Sequence, residues 1–174
     1  MRQGAILREP LAAAFRAAGI TSGMRVLDIG CGVGDVSILA AELVGPSGSV
    51  VGLDRDAASV AWATGRVAEA GFANIQFRTG EFGEFNDSQG FDALVRRFIL
   101  MYLPDPVATL RYLGQYLRAR IAFLEPDFTV PSRRLPPSLG AKRCEEWMVE
   151  VFRHSSVCLD MGCVCTTPIG TRDS

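Results

Sequence analysis

VLDIGCGVGD, residues 26–35, is the stretch whose reading decides the fold. A short apolar run passes into Gly30, Gly32 and Gly34, and a helical pattern begins directly behind them at Asp35. Such a run, bounded by glycine, reads as a strand buried on both faces. Glycines at a strand-to-helix turn remove Cβ atoms, so a ligand can approach the backbone and the amino end of the helix. Asp54 closes the next strand pattern, 20 residues beyond Gly34. In a doubly wound sheet an acid in that place accepts hydrogen bonds from ribose hydroxyls. A tight turn followed by a solvated aspartate is the plainer alternative, but loop and acid at neighbouring strand ends are more specific than either alone.

Outward from this stretch, helical and strand patterns alternate with short punctuated turns, as in a parallel α/β sheet. Pro10 suits the first turn of a helix whose apolar face is Leu11, Ala14, Phe15 and Ala18, with Gly19 as its stop. Residues 24–29 form the first strand, 35–44 a helix, and 49–53 the second strand. Asp56 is a good N-cap for a helix running to Ala70, which Gly71 ends. Strands follow at 74–78 and 91–95, then a helix opened by Leu103-Pro104-Asp105-Pro106 and running to about Arg118, then a fifth strand at 121–124. Residues 129–140 (TVPSRRLPPSLG) read as a loop or linker, 141–153 as a helix, and the remainder as an irregular tail. The expected organisation is a core over 1–128 followed by linker, helix and tail over 129–174, part of the same domain.

Composition narrows the function classes. The 174 residues are 48% hydrophobic and 21% charged, with 18 Gly, many of them in the first half, so the chain can build a core and is not disordered. Lys+Arg is 18 against Asp+Glu 19, which gives no cationic surplus for nucleic-acid phosphates. No stretch is long and apolar enough for a membrane span, and Arg8, Glu9 and Arg16 interrupt the apolar region a signal peptide needs. A cytoplasmic location with reduced thiols is the expectation.

Two cofactor classes use a glycine loop followed by an acid. Dinucleotide folds favour G-x-G-x-x-G, whose third glycine packs helix on strand beside a pyrophosphate. Here the spacing is G-x-G-x-G, with Asp28 before the loop and Asp35 behind it. Two carboxylates repel a pyrophosphate but suit S-adenosylmethionine, which carries a sulfonium and an ammonium and no phosphate.

On these residues the chain resembles a class I S-adenosylmethionine-dependent methyltransferase, over roughly residues 1–128. VLDIGCGVGD resembles the family's first motif and VVGLDRD (50–56) its second. FRTGEF (77–82) resembles the third, FDALVRRFILMYLPDP (91–106) the region of the fourth strand, and IAFLEPDF (121–128) the fifth. The resemblance implies a Rossmann-like, doubly wound, mainly parallel sheet of about five strands. It implies a cofactor site of Asp28, Gly30, Cys31, Gly32, Gly34, Asp54, Arg55, Glu81, Phe82 and Arg97. Asp54 would take the ribose, Glu81 the adenine amino group, Phe82 would pack on the ring, and Arg97 would line the methionine end. The implied reaction is in-line attack by an N, O, C or S atom of a small-molecule acceptor on the methyl carbon as the sulfonium leaves, without metal or covalent enzyme intermediate.

The sequence departs from the family pattern in two places. LGQYLR reads as helix straight into RIAFLE, leaving a connection about three residues short of the usual two to six. After Arg153 only 21 residues remain, without the final antiparallel strand pair, so a truncated member is expected, with its fifth strand an exposed edge through which a homodimer would form. The alternatives are a truncated cofactor-binding or partner-binding paralogue without turnover and, further off, a nucleotide-dependent oxidoreductase.

No catalytic residue is assigned. Glu125 and Asp127 stand at a strand end where ligands collect, though Asp127 reads better as a solvated acid. His154 is the only histidine and reads as a surface residue. Cys144, Cys158, Cys163 and Cys165 fit no standard zinc spacing, and no metal is expected. Arg96 stays undecided between a substrate contact and a charged strand end.

Overall fold

The computed structural model describes residues 3–124 and residue 150. The chain divides into two compact units, Met1–Ile99 with Asp105–Leu124, and Leu100–Pro104 with Glu125–Ser174. In the second, the described residues hold a 3-10 turn at Leu100–Tyr102.

The first unit is built in the order α1 (Gln3–Ala17), β1 (Arg25–Ile29), α2 (Asp35–Val44), β2 (Ser49–Asp54), α3 (Ala57–Glu69), β3 (Ile75–Thr79), β4 (Phe91–Arg97), α4 (Pro106–Gly114) and β5 (Leu117–Leu124). All five strands are parallel and lie in the order β3-β2-β1-β4-β5. From β1 the chain therefore moves one way to β2 and β3, then returns across β1 to β4 and β5. Right-handed crossovers put the two sets of connections on opposite faces. On one face α1 and α2 bury Leu11, Phe15, Leu39 and Val44 against Val26, Val50, Ala93 and Val95. On the other, Leu27, Ile29, Val51 and Leu94 pack with Phe85, Phe91 and Leu113 of α4. β1 and β4 are thus apolar on both faces, as strands of a covered parallel sheet must be.

Local signals set most boundaries. The Asp56 carboxylate accepts from the amides of Ala58 and Ser59 and caps α3. Past Gly71 the Phe72 amide returns to the Val67 carbonyl, the closing bond of a Schellman turn. Two boundaries differ from the sequence pattern. α1 starts at Gln3, so Pro10 lies inside the helix with its ring exposed to solvent rather than in the first turn. α4 ends at Gly114 instead of near Arg118, and β5 begins at Leu117. Pairing with β4 overrides the helical propensity of 115–118: the Phe91 amide donates to the Tyr116 carbonyl at 2.7 Å, and Leu117 registers with Phe91. The connection that reads as too short is thus the ordinary two residues, Gln115 and Tyr116. Among the described residues no strand is antiparallel and no helix is long and apolar enough to cross a membrane.

The amino end of the sheet is fastened by a long-range bond that the sequence does not announce. Arg25, the first residue of β1, donates from Nη1 and Nη2 to the two carboxylate oxygens of Asp87 at 2.8 and 3.0 Å. Its guanidinium also lies 4.1 Å from the centre of the Phe91 ring. Asp87 in turn accepts from the amides of Gln89 and Gly90, so one carboxylate ties the last part of the β3–β4 connection to the start of β1. The Arg25 hydrogen bonds hold the Asp87 carboxyl below its ordinary range. A depressed acid stabilises the fold above its unfolded pKa and loses that contribution as pH falls through the folded value. Asp87→Ala is expected to lower the unfolding free energy at pH 7 by about 1–3 kcal/mol. The gap to wild type should narrow below about pH 4; urea melts at pH 7 and pH 3 with an unchanged gap would contradict this.

Candidate functional site

Strand register brings the candidate residues to one edge. Ile29 pairs with Leu53 and Asp28 with Val95, so Gly30, Asp54 and Arg97 stand level at the carboxyl ends of β1, β2 and β4. Asp54 pairs with Thr79, which places Glu81 and Phe82 just past the same edge on β3. Between β1 and β4 the crossovers diverge, and this switch point is where open α/β sheets leave a crevice for ligands.

The loop rising from β1 is left-handed at alternate residues, with φ of 60° at Gly30, 52° at Gly32 and 84° at Gly34. At Gly32 a Cβ would meet nothing within 4 Å. Glycine is there for its backbone and for the open room above it, since packing does not exclude a side chain. At Gly30 a Cβ would come within 2.9 Å of Ile99 and 3.1 Å of the Arg96 guanidinium, so the loop is fitted closely over β4. Gly34 stands at the N-cap of α2.

Asp54 organises the loop. Its Oδ2 accepts from the Gly32 amide at 2.7 Å and its Oδ1 from the Asp56 amide at 2.9 Å. Its own carbonyl accepts from the Gly80 amide at 3.0 Å, which ties the β3 end, with Glu81 beyond it, to β2. In a dinucleotide fold loop amides face a pyrophosphate, but here the Gly32 amide is already held by a carboxylate.

Asp28, on β1 beneath the loop, has no solvent exposure. Its Oδ2 accepts from the Ser37 hydroxyl at 2.6 Å, while Oδ1 is buried with no hydrogen-bond partner. Burial pushes its carboxyl up to about 6, against the pull of the Arg96 charge and the Ser37 hydrogen bond. An acid oxygen buried without a partner costs free energy and so calls for an explanation.

The other expected residues have mixed placements. Asp35, half-exposed, lies 2.9 Å from Arg66 and 3.9 Å from Arg97, so arginines offset its charge. The acidic character of the loop therefore comes from Asp28 and Asp54. Cys31 is buried, its amide bonded to the Leu53 carbonyl at 3.1 Å, and burial pushes its thiol up, which makes it an inert small residue of the loop. Arg55 and Glu81 are exposed, and Phe82 is half-buried against the Leu27 side of the core. Glu125, Asp127, His154 and the four late cysteines lie outside the described residues.

Two contributors carry a faint sequence signal or none. Ser37 is a lone polar residue on the inward side of an apolar helix, which hints at a buried partner. Phe98 takes φ 57°, a left-handed conformation costly for a bulky residue, directly after β4. Nothing in the sequence foretells it.

Three comparisons bear on this site. The sequence profile of a methyltransferase-domain family matches residues 20–166. Aklanonic acid methyltransferase DauC of Streptomyces sp. (strain C5) is 36% identical over 144 residues, covering 75% of this chain and 65% of that protein. Demethylmenaquinone methyltransferase of Lactococcus lactis subsp. lactis (strain IL1403) is 29% identical over 141 residues, covering 79% of this chain and 56% of that protein. The chain thus spans between about half and two thirds of these relatives' length. A crystal structure of a SAM-dependent methyltransferase from Aquifex aeolicus has the same fold, with a TM-score of 0.65 at 20% identity, covering 90% of this chain and 88% of that one.

Burial of Asp28 has a measurable signature. Its carboxyl, pushed up to about 6 by burial, holds its proton above the ordinary aspartate range, so the folded state binds the extra proton and stability falls as pH rises toward that value. Asp28→Asn is expected to be more stable than wild type at pH 7, by less than about 3 kcal/mol. The gain should disappear at about pH 4. Denaturant melts at both pH values that find Asp28→Asn less stable at pH 7 would contradict the assignment.

Proposed function

The chain belongs to the class I S-adenosylmethionine-dependent methyltransferase family, and on that premise we propose that it binds S-adenosylmethionine across the β1–β2–β4 edge and methylates a small-molecule acceptor. The observation that carries the proposal is the buried, unpartnered Oδ1 of Asp28 beneath a loop with open room at Gly32. Two carboxylates and no available phosphate cradle suit a ligand that is cationic and has a ribose diol. The residues present fit the group on charge and on space.

Bound there, the cofactor would supply a methyl group on a sulfonium, whose sulfur leaves as a thioether when an acceptor N, O, C or S atom attacks the methyl carbon in line. Asp54 accepts the ribose hydroxyls, and its grip on the Gly32 amide and on β3 fixes where they sit. Asp28 meets the ammonium and regains the partner that its Oδ1 lacks. Gly30, Cys31, Gly32 and Gly34 bring the backbone close. Glu81 receives the adenine amino group while Phe82 packs beside the ring. Arg55 borders the ribose, and Arg97, beside the methionine end, braces Asp35. Held in this way, the reactants gain most of their acceleration from alignment, and a base is needed only for an acceptor that must lose a proton. The relatives' names, aklanonic acid and demethylmenaquinone methyltransferase, favour a small organic acceptor.

Calorimetric titration with S-adenosylhomocysteine tests the reading. Wild type is expected to bind, and Asp54→Ala to bind at least about tenfold more weakly, the loss of one charge-assisted hydrogen bond. NADH should give no heat. Binding of NADH in place of S-adenosylhomocysteine, or equal affinity of Asp54→Ala and wild type, would overturn the proposal.

A further inference from the structure

Gly30, Gly32 and Gly34 are all left-handed, and glycine loses more conformational freedom on ordering than any other residue. A ligand that had to order such a loop for itself would bind more weakly by that cost. Bonds already made in the loop order it beforehand. The amides of Cys31 and Gly32 are tied to β2, through the Leu53 carbonyl and the Asp54 carboxylate. The Gly34 amide turns back to the Cys31 carbonyl at 2.9 Å. Beneath Gly34 the fit is tight: a Cβ there would lie 3.0 Å from the Phe77 ring and 3.3 Å from Ala63 of α3.

Val33 stands between two left-handed glycines and is 42% exposed, so packing does little to hold it. Its carbonyl is gripped from another element. Nη1 of Arg66, in the last turn of α3, donates to the Val33 carbonyl and, at 2.9 Å, to Oδ1 of Asp35, the first residue of α2. The peptide between Val33 and Gly34 is therefore fastened at both ends, its oxygen by Arg66 and its amide by Cys31. Gly34 gives α2 no side-chain cap, so local capping does not fix the start of that helix. The bridge to α3 does. Arginine suits the task, because its charge strengthens a bond to a carbonyl and its several donors serve two acceptors at once.

We infer that Arg66 is a positioning residue for the cofactor, one that presets the glycine loop by holding the Val33–Gly34 peptide and Asp35 to α3. The inference rests on the reading under Proposed function, and its test separates the two. Full-chain wild type, Arg66→Met and Arg66→Lys are titrated calorimetrically with S-adenosylhomocysteine. Amide hydrogen exchange is followed by NMR on each, with and without that ligand. Methionine is a good helix former, so α3 is expected to fold in the variant.

Arg66→Met should bind about tenfold more weakly than wild type. Without ligand, its Gly32 and Gly34 amides should exchange about tenfold faster, while the Leu27 amide in β1 keeps its wild-type rate. Saturating S-adenosylhomocysteine should restore the slow rates in the loop. Arg66→Lys, which keeps a cation on a shorter stem, should recover part of the affinity, and it carries the test if Arg66→Met does not fold. Equal affinity of Arg66→Met and wild type overturns the inference and leaves the cofactor reading standing. A merely structural role would speed exchange at Leu27 as much as at Gly34, and that result overturns it too, as does an Arg66→Lys that binds no better than Arg66→Met. Failure of folded wild type to bind S-adenosylhomocysteine removes the cofactor reading and this inference with it.

Discussion

Between β1 and β4 the chain leaves the sheet in opposite directions, and such a switch point is where an open α/β sheet leaves a crevice at its carboxyl ends. Everything functional in the described residues depends on that topological constraint. Parallel pairing sets Gly30, Asp54 and Arg97 level at the edge, so residues far apart in sequence meet without any dedicated binding domain. The two apolar faces of β1 and β4 hold this edge rigid from below. Ligand-facing groups then need only the loop amides and a few side chains.

Within the crevice, stability and binding pull apart. Asp28 is buried and half-satisfied, while Asp54 is satisfied by the loop it organises. The first is a cost to the fold, which the proposed cationic ligand would offset; the second is a strut that fixes the loop. At the far end of the sheet, Arg25 and Asp87 form the opposite case, a fully engaged pair whose role is to hold the β3–β4 connection in place.

What was legible in the sequence was local. Glycine spacing, the Asp56 cap, the stop at Gly71 and the acid at the end of β2 are all short-range signals with a physical meaning at each residue. The α4–β5 boundary was not legible, because 115–118 has helical propensity and is made partly strand by pairing with β4. Nor was Pro10 inside α1, where the ring faces solvent. The Arg25–Asp87 bond spans 62 residues, and no local pattern encodes such a pairing. In the candidate site the loop and Asp54 were plain. Asp35 stands out in the sequence as a second loop carboxylate, and only the fold brings Arg66 and Arg97 to it. The left-handed turn at Phe98 is a backbone conformation that a phenylalanine does not advertise.

The most direct test of the central claim is a crystal structure of the chain grown with S-adenosylhomocysteine. The expected result is ligand across the β1–β2–β4 edge, with ribose hydroxyls on the Asp54 carboxylate and the ammonium on Asp28. Ligand bound in the reverse orientation, with adenine over Asp28, or bound away from this edge, would contradict it.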